Sequence, residues 1–250
     1  MQNGLIVYKL DGYTGKIAKN TAPGQIQQGD ILENTSIKNL GINIKDPRKS
    51  IKMNFQLSGS NLTDIPETCF QKITVNNGSA VISVDNTNFS CKEGILPQDT
   101  QPNLYEDSTN SSIVVTAQKI VKGAVTKDEK IKRMVNFVFR HISNKNYQHG
   151  NLSASEVLAK KAGDCTEHST LLSALLKSQN IPVKMVYGLV LDNSGRFMFH
   201  NWNEALGDNG WITVDSTFGL VRADAARITL IYGGSSSSSR ENVSLTVLKF

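Results

Sequence analysis

Apolar and polar positions fall into two regimes along the chain. Through the first hundred residues, short apolar stretches are broken by Gly, Asn, Asp and Pro, as in Leu5-Ile-Val-Tyr8, Ile51-Lys-Met-Asn-Phe-Gln-Leu57 and Ala80-Val-Ile-Ser-Val84. Ile51, Met53, Phe55 and Leu57 keep a period of two, which predicts a strand with one buried face, so the region reads as an antiparallel β module without helices. After it the period changes. Behind a Thr126-Lys-Asp-Glu129 capping box, Ile131, Met134, Val135, Val138, Phe139 and Ile142 recur at spacings of three and four and predict an amphipathic helix with a solvated charged face. A shorter helix is expected over Ile113 to Val121. Residues 94–112, with Pro97, Pro102, Asp107 and Ser108-Thr-Asn-Ser-Ser112, read as a linker. These shifts divide the chain into a β-rich module over 1–100 and a second domain over 110–250.

Further on, Ser153-Ala-Ser-Glu156 caps a short helix that Gly163 is expected to end. Asp164 then starts a new one. Its carboxylate can cap the next amides while Glu167 reaches back, which puts Cys165 at the first helical position; Leu171, Leu172, Leu175 and Leu176 form a buried stripe, and Asn180-Ile-Pro182 closes the helix. Val183–Leu191, Arg196–Ala205 and Trp211–Thr217, separated by Asp192-Asn-Ser-Gly195 and Gly207-Asp-Asn-Gly210, predict a three-stranded antiparallel meander. Ile228–Tyr232 and Val243–Phe250 add two strands across a Gly233-Gly-Ser loop of low complexity.

Composition narrows the function classes. At 250 residues, 39% hydrophobic and 20% charged, the chain is ordinary globular material. Its +5 charge and pI near 9.0 come from scattered Lys and Arg, with no basic block of the kind that binds nucleic acid. No apolar run reaches the roughly 18 to 20 residues of a membrane span, and Met1-Gln-Asn-Gly-Leu-Ile-Val lacks the basic and apolar regions of a leader. The expectation is therefore a cytoplasmic protein, or a periplasmic or extracellular one whose natural start lies elsewhere. Of three cysteines, Cys69 and Cys91 are either one disulfide or two buried thiols, and Cys165 is the odd one. Cys165-x-x-His168 has no second ligand pair, so neither a metal nor another cofactor is expected.

A cysteine at a helix N-terminus meets free amides and the positive end of the dipole, which stabilise its thiolate. By itself Cys165 is equally a small buried hydrophobe. A nucleophile also needs a base and an orienter brought in by the fold, and the meander supplies His200 on its second strand and Asp215 on its third. Singly, a strand histidine and a strand-closing aspartate are ordinary structural residues. Together the three form a thiol triad in the order Cys, His, Asp.

Gly163-Asp-Cys165 with Glu167-His168, Ile181-Pro182, Phe199-His200-Asn-Trp202-Asn-Glu204 and Trp211-Ile-Thr-Val-Asp215-Ser-Thr together resemble the transglutaminase-like superfamily of papain-fold cysteine enzymes, in its bacterial form, over roughly residues 110–235. The resemblance implies an α+β papain-like core with Cys165 as nucleophile, His200 as base and Asp215 as orienter. It also points to Tyr147, with Trp202 nearby, as oxyanion and supporting residues. The implied chemistry is acyl transfer through a thioester on amide bonds of proteins or peptides, ending in hydrolysis or amine transfer. Ser216 departs from the proline or alanine more usual in the family. The rival class is a binding or scaffold protein that keeps the fold without turnover. The sequence does not give the substrate or the oligomeric state, and residues 1–100 match no motif.

Overall fold

The computed structural model describes residues 36–42, 44–58, 65–76, 79–87, 91, 93–145, 152–233 and 244–249. The strands are β1 (Ile37–Lys38), β2 (Lys52–Ser58), β3 (Gln71–Asn76), β4 (Ser79–Asp85), β5 (Val183–Leu191), β6 (Arg196–Leu206), β7 (Trp211–Val214), β8 (Arg227–Tyr232) and β9 (Ser244–Lys249). The helices α1 (Ser111–Val121), α2 (Lys127–His141), α3 (Ala154–Lys160) and α4 (Cys165–Lys177) lie between β4 and β5.

One antiparallel sheet runs β3-β4-β2-β9. Met53, Phe55 and Leu57 are buried on β2, and β4 alternates buried and half-buried positions against them. Ile51, which the period of two places on the same face, precedes the strand and is 64% exposed. The second sheet is built on the expected meander in the order β1-β6-β5-β8, with β7 also paired to β6. β1 meets β6 at Arg196 and Phe197, and β7 meets it from Asn203 to Leu206. Between those contacts, residues 198–202 pair with β5 on one side and with no strand on the other, among the described residues. His200 lies in that gap.

Two apolar cores lie against this second sheet. Helices α1 to α4 pack one around Leu171, Leu172, Leu175 and Leu176, together with Val183, Ala205 and Val214. The other joins Met53, Phe55, Leu57 and Ile82 to Leu189, Leu191, Phe197, Ile228 and Leu230, with the Phe55 and Phe197 rings edge to face at 5.7 Å. The chain crosses the sequence boundary at 100–110 twice, because β1 joins the meander and β9 joins β2. Cys69 and Cys91 form a disulfide. Trp211 ties the following segment to β7, its backbone N–H bonding Cys91 O at 3.0 Å and its indole N–H bonding Glu93 O at 2.9 Å.

The segment expected to be a linker is packed instead. Pro97–Asp99 is a 3-10 turn, Asp107 Oδ1 accepts the Ser155 N–H at 3.0 Å, and buried Glu106 pairs with Lys177 and accepts from Ser173 Oγ at 2.9 Å. Its Pro, Asp and Ser residues serve as turn formers and caps, which composition alone does not separate from a solvated connector. Helix α3 ends two residues earlier than expected, with Lys161 rather than Gly163 closing it in the left-handed region at φ 54°. Gly163, at φ 152°, is needed for a different reason: a Cβ there would lie 2.3 Å from Glu167 Cβ, inside the box that caps α4.

Because the two sheets share a core, they are expected to unfold as one cooperative unit. Phe55→Ala is expected to cost about 3–5 kcal/mol in urea unfolding. Circular dichroism and the emission of Trp202 and Trp211 should then fall in a single transition. Tryptophan emission that survives a first, separate loss of β signal would show that the sheets fold independently.

Candidate active site

Asp164 stands outside α4 in extended conformation, and its Oδ1 accepts the Thr166 N–H at 2.8 Å. Glu167 Oε2 returns to the Asp164 N–H at 2.9 Å, closing the expected capping box. Helix α4 is buried from Glu167 to Lys177, whereas Cys165 and Thr166 at its start are partly exposed. Asn201 Nδ2 donates to Thr166 Oγ1 at 3.0 Å and Asn203 Nδ2 to Ser169 O at 3.2 Å, which fixes the first turns of α4 on β6. The thiol is therefore held at the open end of a helix that is otherwise buried and hydrogen-bonded to β6.

Across the β6–β7 pair, Asn203 faces Val214, so Asp215 one residue on lies diagonally from His200. His200 Nε2 is 2.8 Å from Asp215 Oδ2. The Cys165 side chain acts on the ring as well and favours its protonated form, and with Nε2 engaged by Asp215, Nδ1 is the nitrogen that remains on the other side. Asp215 Oδ1 accepts the Thr217 and Phe218 N–H groups at 2.9 and 3.3 Å, so the carboxylate also shapes its own turn, which closes on Leu220. His200 is flanked by the rings of Phe218 at 5.0 Å and Trp202 at 6.3 Å.

Residues 115–216 match the transglutaminase-like superfamily, a span that begins in α1 and ends just past Asp215. This segment belongs to the transglutaminase-like superfamily. Among solved structures, a protein from Cytophaga hutchinsonii provisionally named a cysteine protease aligns over 86% of this chain and 89% of its own, with 14% identity and a TM-score of 0.55. That likeness is one of fold. The periplasmic domain of TgpA from Pseudomonas aeruginosa, bound to ethylmercury, aligns at 17% identity over 57% of this chain and 56% of that one, with a TM-score of 0.43. Red sea bream transglutaminase aligns at 8% identity over 66% and 45%, with a TM-score of 0.36. No curated protein matches the chain.

Within the transglutaminase-like core the electrostatics of the three residues are interlocked. Burial disfavours the charged His200 ring, but the Asp215 carboxylate and the Cys165 sulfur outweigh it and push the ring up to about 9. Burial likewise works against the charged Asp215, yet His200 and Arg227 hold it well below the usual carboxylate range. His168, one turn along α4, is driven below its ordinary value by burial, and its Nδ1 is 2.6 Å from Asp164 O. It therefore serves the start of its own helix.

Trp202 is 1% exposed. It lies behind His200 and supports the ring from inside the sheet, and Gly188 makes room for it: a Cβ there would lie 2.6 Å from the indole and 2.1 Å from Ile228 O. Tyr147 lies outside the described residues. Sequence reasoning passed over Arg227, whose NH1 is 2.6 Å from Asp215 Oδ2, and Asp224 and Arg48 behind it. One signal was present: Arg227 is a lone charge in the apolar run Ala225-Ala-Arg-Ile-Thr-Leu230, and a charge in such a strand requires a partner.

The sign of the His200 shift yields two linked expectations. A ring that binds its proton more tightly folded than unfolded adds stability fully present below pH 6.5 and lost as pH rises through about 9, on the order of 3 kcal/mol. In Asp215→Asn, burial is left to dominate, so NMR titration of the ring should place its pKa below 6.5. A ring that still titrates near 9 in that variant would remove Asp215 as the cause.

Proposed function

We propose that this chain is a cysteine acyl-transfer enzyme acting on amide bonds of proteins or peptides, with Cys165 as nucleophile, His200 as acid and base, and Asp215 as the group that orients and charges the imidazole. The observation that carries this reading is a partly exposed thiol at the first position of a capped helix, acting on a buried ring whose Nε2 is 2.8 Å from a buried carboxylate. In the first half-reaction, His200 takes the thiol proton and Sγ attacks the substrate carbonyl carbon, forming a C–S bond and a tetrahedral oxyanion. The Cys165 N–H, which the capping box leaves out, and the helix dipole stabilise that negative charge. Collapse breaks the C–N bond. The leaving amine carries off the proton held on His200, and a thioester remains on Cys165. Water or an incoming amine then gives up a proton to His200, attacks the thioester and regenerates the thiol, which yields hydrolysis or transamidation.

Asp215 has no proton to move in this cycle. It fixes which ring nitrogen faces the sulfur and stabilises the imidazolium between the two transfers. The Cys69–Cys91 disulfide supports work in an oxidising compartment, the periplasm or the exterior.

Incubation with an activated acyl ester, followed by intact-mass spectrometry, should show one acyl group on Cys165, with loss of about a thousandfold in rate in Cys165→Ser and in His200→Ala. Iodoacetamide should label Cys165 much faster in the wild type than in His200→Ala. Alkylation at the same rate in both would turn the reading to a binding or scaffold protein. Non-reduced protein from its native compartment should yield the Cys69–Cys91 linked peptide and a free Cys165; three free thiols there would exclude export.

A further inference from the structure

The charges behind Asp215 continue beyond the residues that touch sulfur. Arg227 opens β8 with its side chain 3% exposed, NH1 2.6 Å from Asp215 Oδ2 and NH2 2.8 Å from Asp224 Oδ2. The wholly buried Asp224 carboxylate also pairs with Arg48 NH1 at 2.9 Å. Arg48 comes from the 3-10 turn Pro47–Lys49 in the first half of the chain, and its other terminal nitrogen donates to Leu191 O. First-half residues also hold the backbone around Asp224: Ser50 O accepts the Ala225 N–H at 2.8 Å, and Asn86 Nδ2 donates to Ala223 O at 2.8 Å. Charge thus alternates in sign from Arg48 through Asp224, Arg227 and Asp215 to His200.

Two details make Arg227 more than a counter-ion. The oxygen it binds, Asp215 Oδ2, is the same one that faces His200 Nε2, while Oδ1 is occupied by two backbone N–H groups. Asp215 cannot turn without breaking bonds on both oxygens. Charge that Arg227 draws from Oδ2 is also withdrawn from His200. In addition, the guanidinium lies 5.5 Å from the Trp202 ring and 5.9 Å from Phe218, the same two rings that flank His200. Cation and imidazole are registered against one aromatic pair.

We propose that Arg227, held by Asp224, which Arg48 pairs with in turn, is a positioning residue that locks Asp215 and shares its Oδ2 with His200, weakening the carboxylate's stabilisation of the imidazolium so that the ring can pass its Nδ1 proton to the leaving amine. This rests on the reading of Cys165, His200 and Asp215 as a reacting unit. It also makes the first half of the chain part of the site through Arg48. The other titratable groups near the array are Cys165 against the ring, His168 one turn along α4, and Asp192, which acts on Arg48. The sign of Arg227's effect follows from electrostatics: removing a buried cation favours every proton bound nearby, so the His200–Asp215 pair must then release its proton at higher pH.

The test is a ring titration of His200 by NMR in the full-length resting protein, which needs no substrate. Arg227→Gln should raise the upper titration of the pair by about one unit or more. Arg227→Lys, which keeps the charge but cannot bridge two carboxylates, should move it less, and Arg48→Gln should move it in the same direction by a smaller step. A titration that stays put or falls in both Gln variants overturns the proposal. Should Arg227→Gln fail to fold, Arg48→Gln decides, because its side chain is 22% exposed and its loss leaves Asp224 paired with Arg227. Acyl transfer with an unmoved titration keeps the function and removes Arg227's role. The expected shift in a chain that transfers no acyl group keeps the charge coupling and removes the function.

Discussion

A carboxylate taken wholly out of water sets the terms for this structure. Asp215 is 0% exposed, and an ionised group so buried is tolerated only when its lone pairs are matched by donors and its charge by a cation. The backbone turn after β7 satisfies one oxygen, and His200 and Arg227 share the other. Each donor draws in more of the molecule. The turn must fold back at Thr217 and Phe218, the imidazole must present Nε2 inward and so Nδ1 outward, and Arg227 must be compensated in turn by Asp224. The orientation of the ring toward Cys165 is thus a consequence of electrostatic satisfaction at the far side of the ring.

The helix that carries Cys165 meets the opposite demand. Eleven consecutive residues, Glu167 to Lys177, are buried, and several are polar. Ser173 and Lys177 settle on Glu106, a residue from the segment between β4 and α1. With its length locked in this way, α4 leaves only its first two residues partly exposed, and the capping box of Asp164 and Glu167 defines where that exposure begins.

Much of this is local and could be read from the chain. The cap at Asp164, the position of Cys165, the meander and the diagonal placing of His200 and Asp215 depend on residues within a few positions of each other or on paired strands of fixed period. What escaped reading depends on long-range pairing. Nothing in the period of residues 52–58 tells that Asn54 will face Lys249, or that Ile37 will lie beside Phe197. Arg227 was visible as a charge in an apolar strand, but its partner Asp215 follows another strand and Arg48, which shares Asp224 with it, lies in a 3-10 helix that only the assembled sheets bring near. The packed 94–112 segment shows the same limit, since Pro, Asp and Ser have one composition in a solvated connector and in a buried cap.

The pairing of β2 with β9 has a consequence for synthesis. Every other described element leaves the ribosome before β9 does, so β2 stays an edge strand, and Met53, Phe55 and Leu57 stay without Leu189, Phe197 and Ile228, until most of the chain has been made. Contacts this distant in sequence form slowly, after the helices have had time to close on local ones. Arg48 and Asp224 come from opposite sides of that delay. The nascent chain therefore carries its cysteine on a formed helix before the charges that steer the imidazole are in place, and the site becomes whole only when segments far apart in the chain have met.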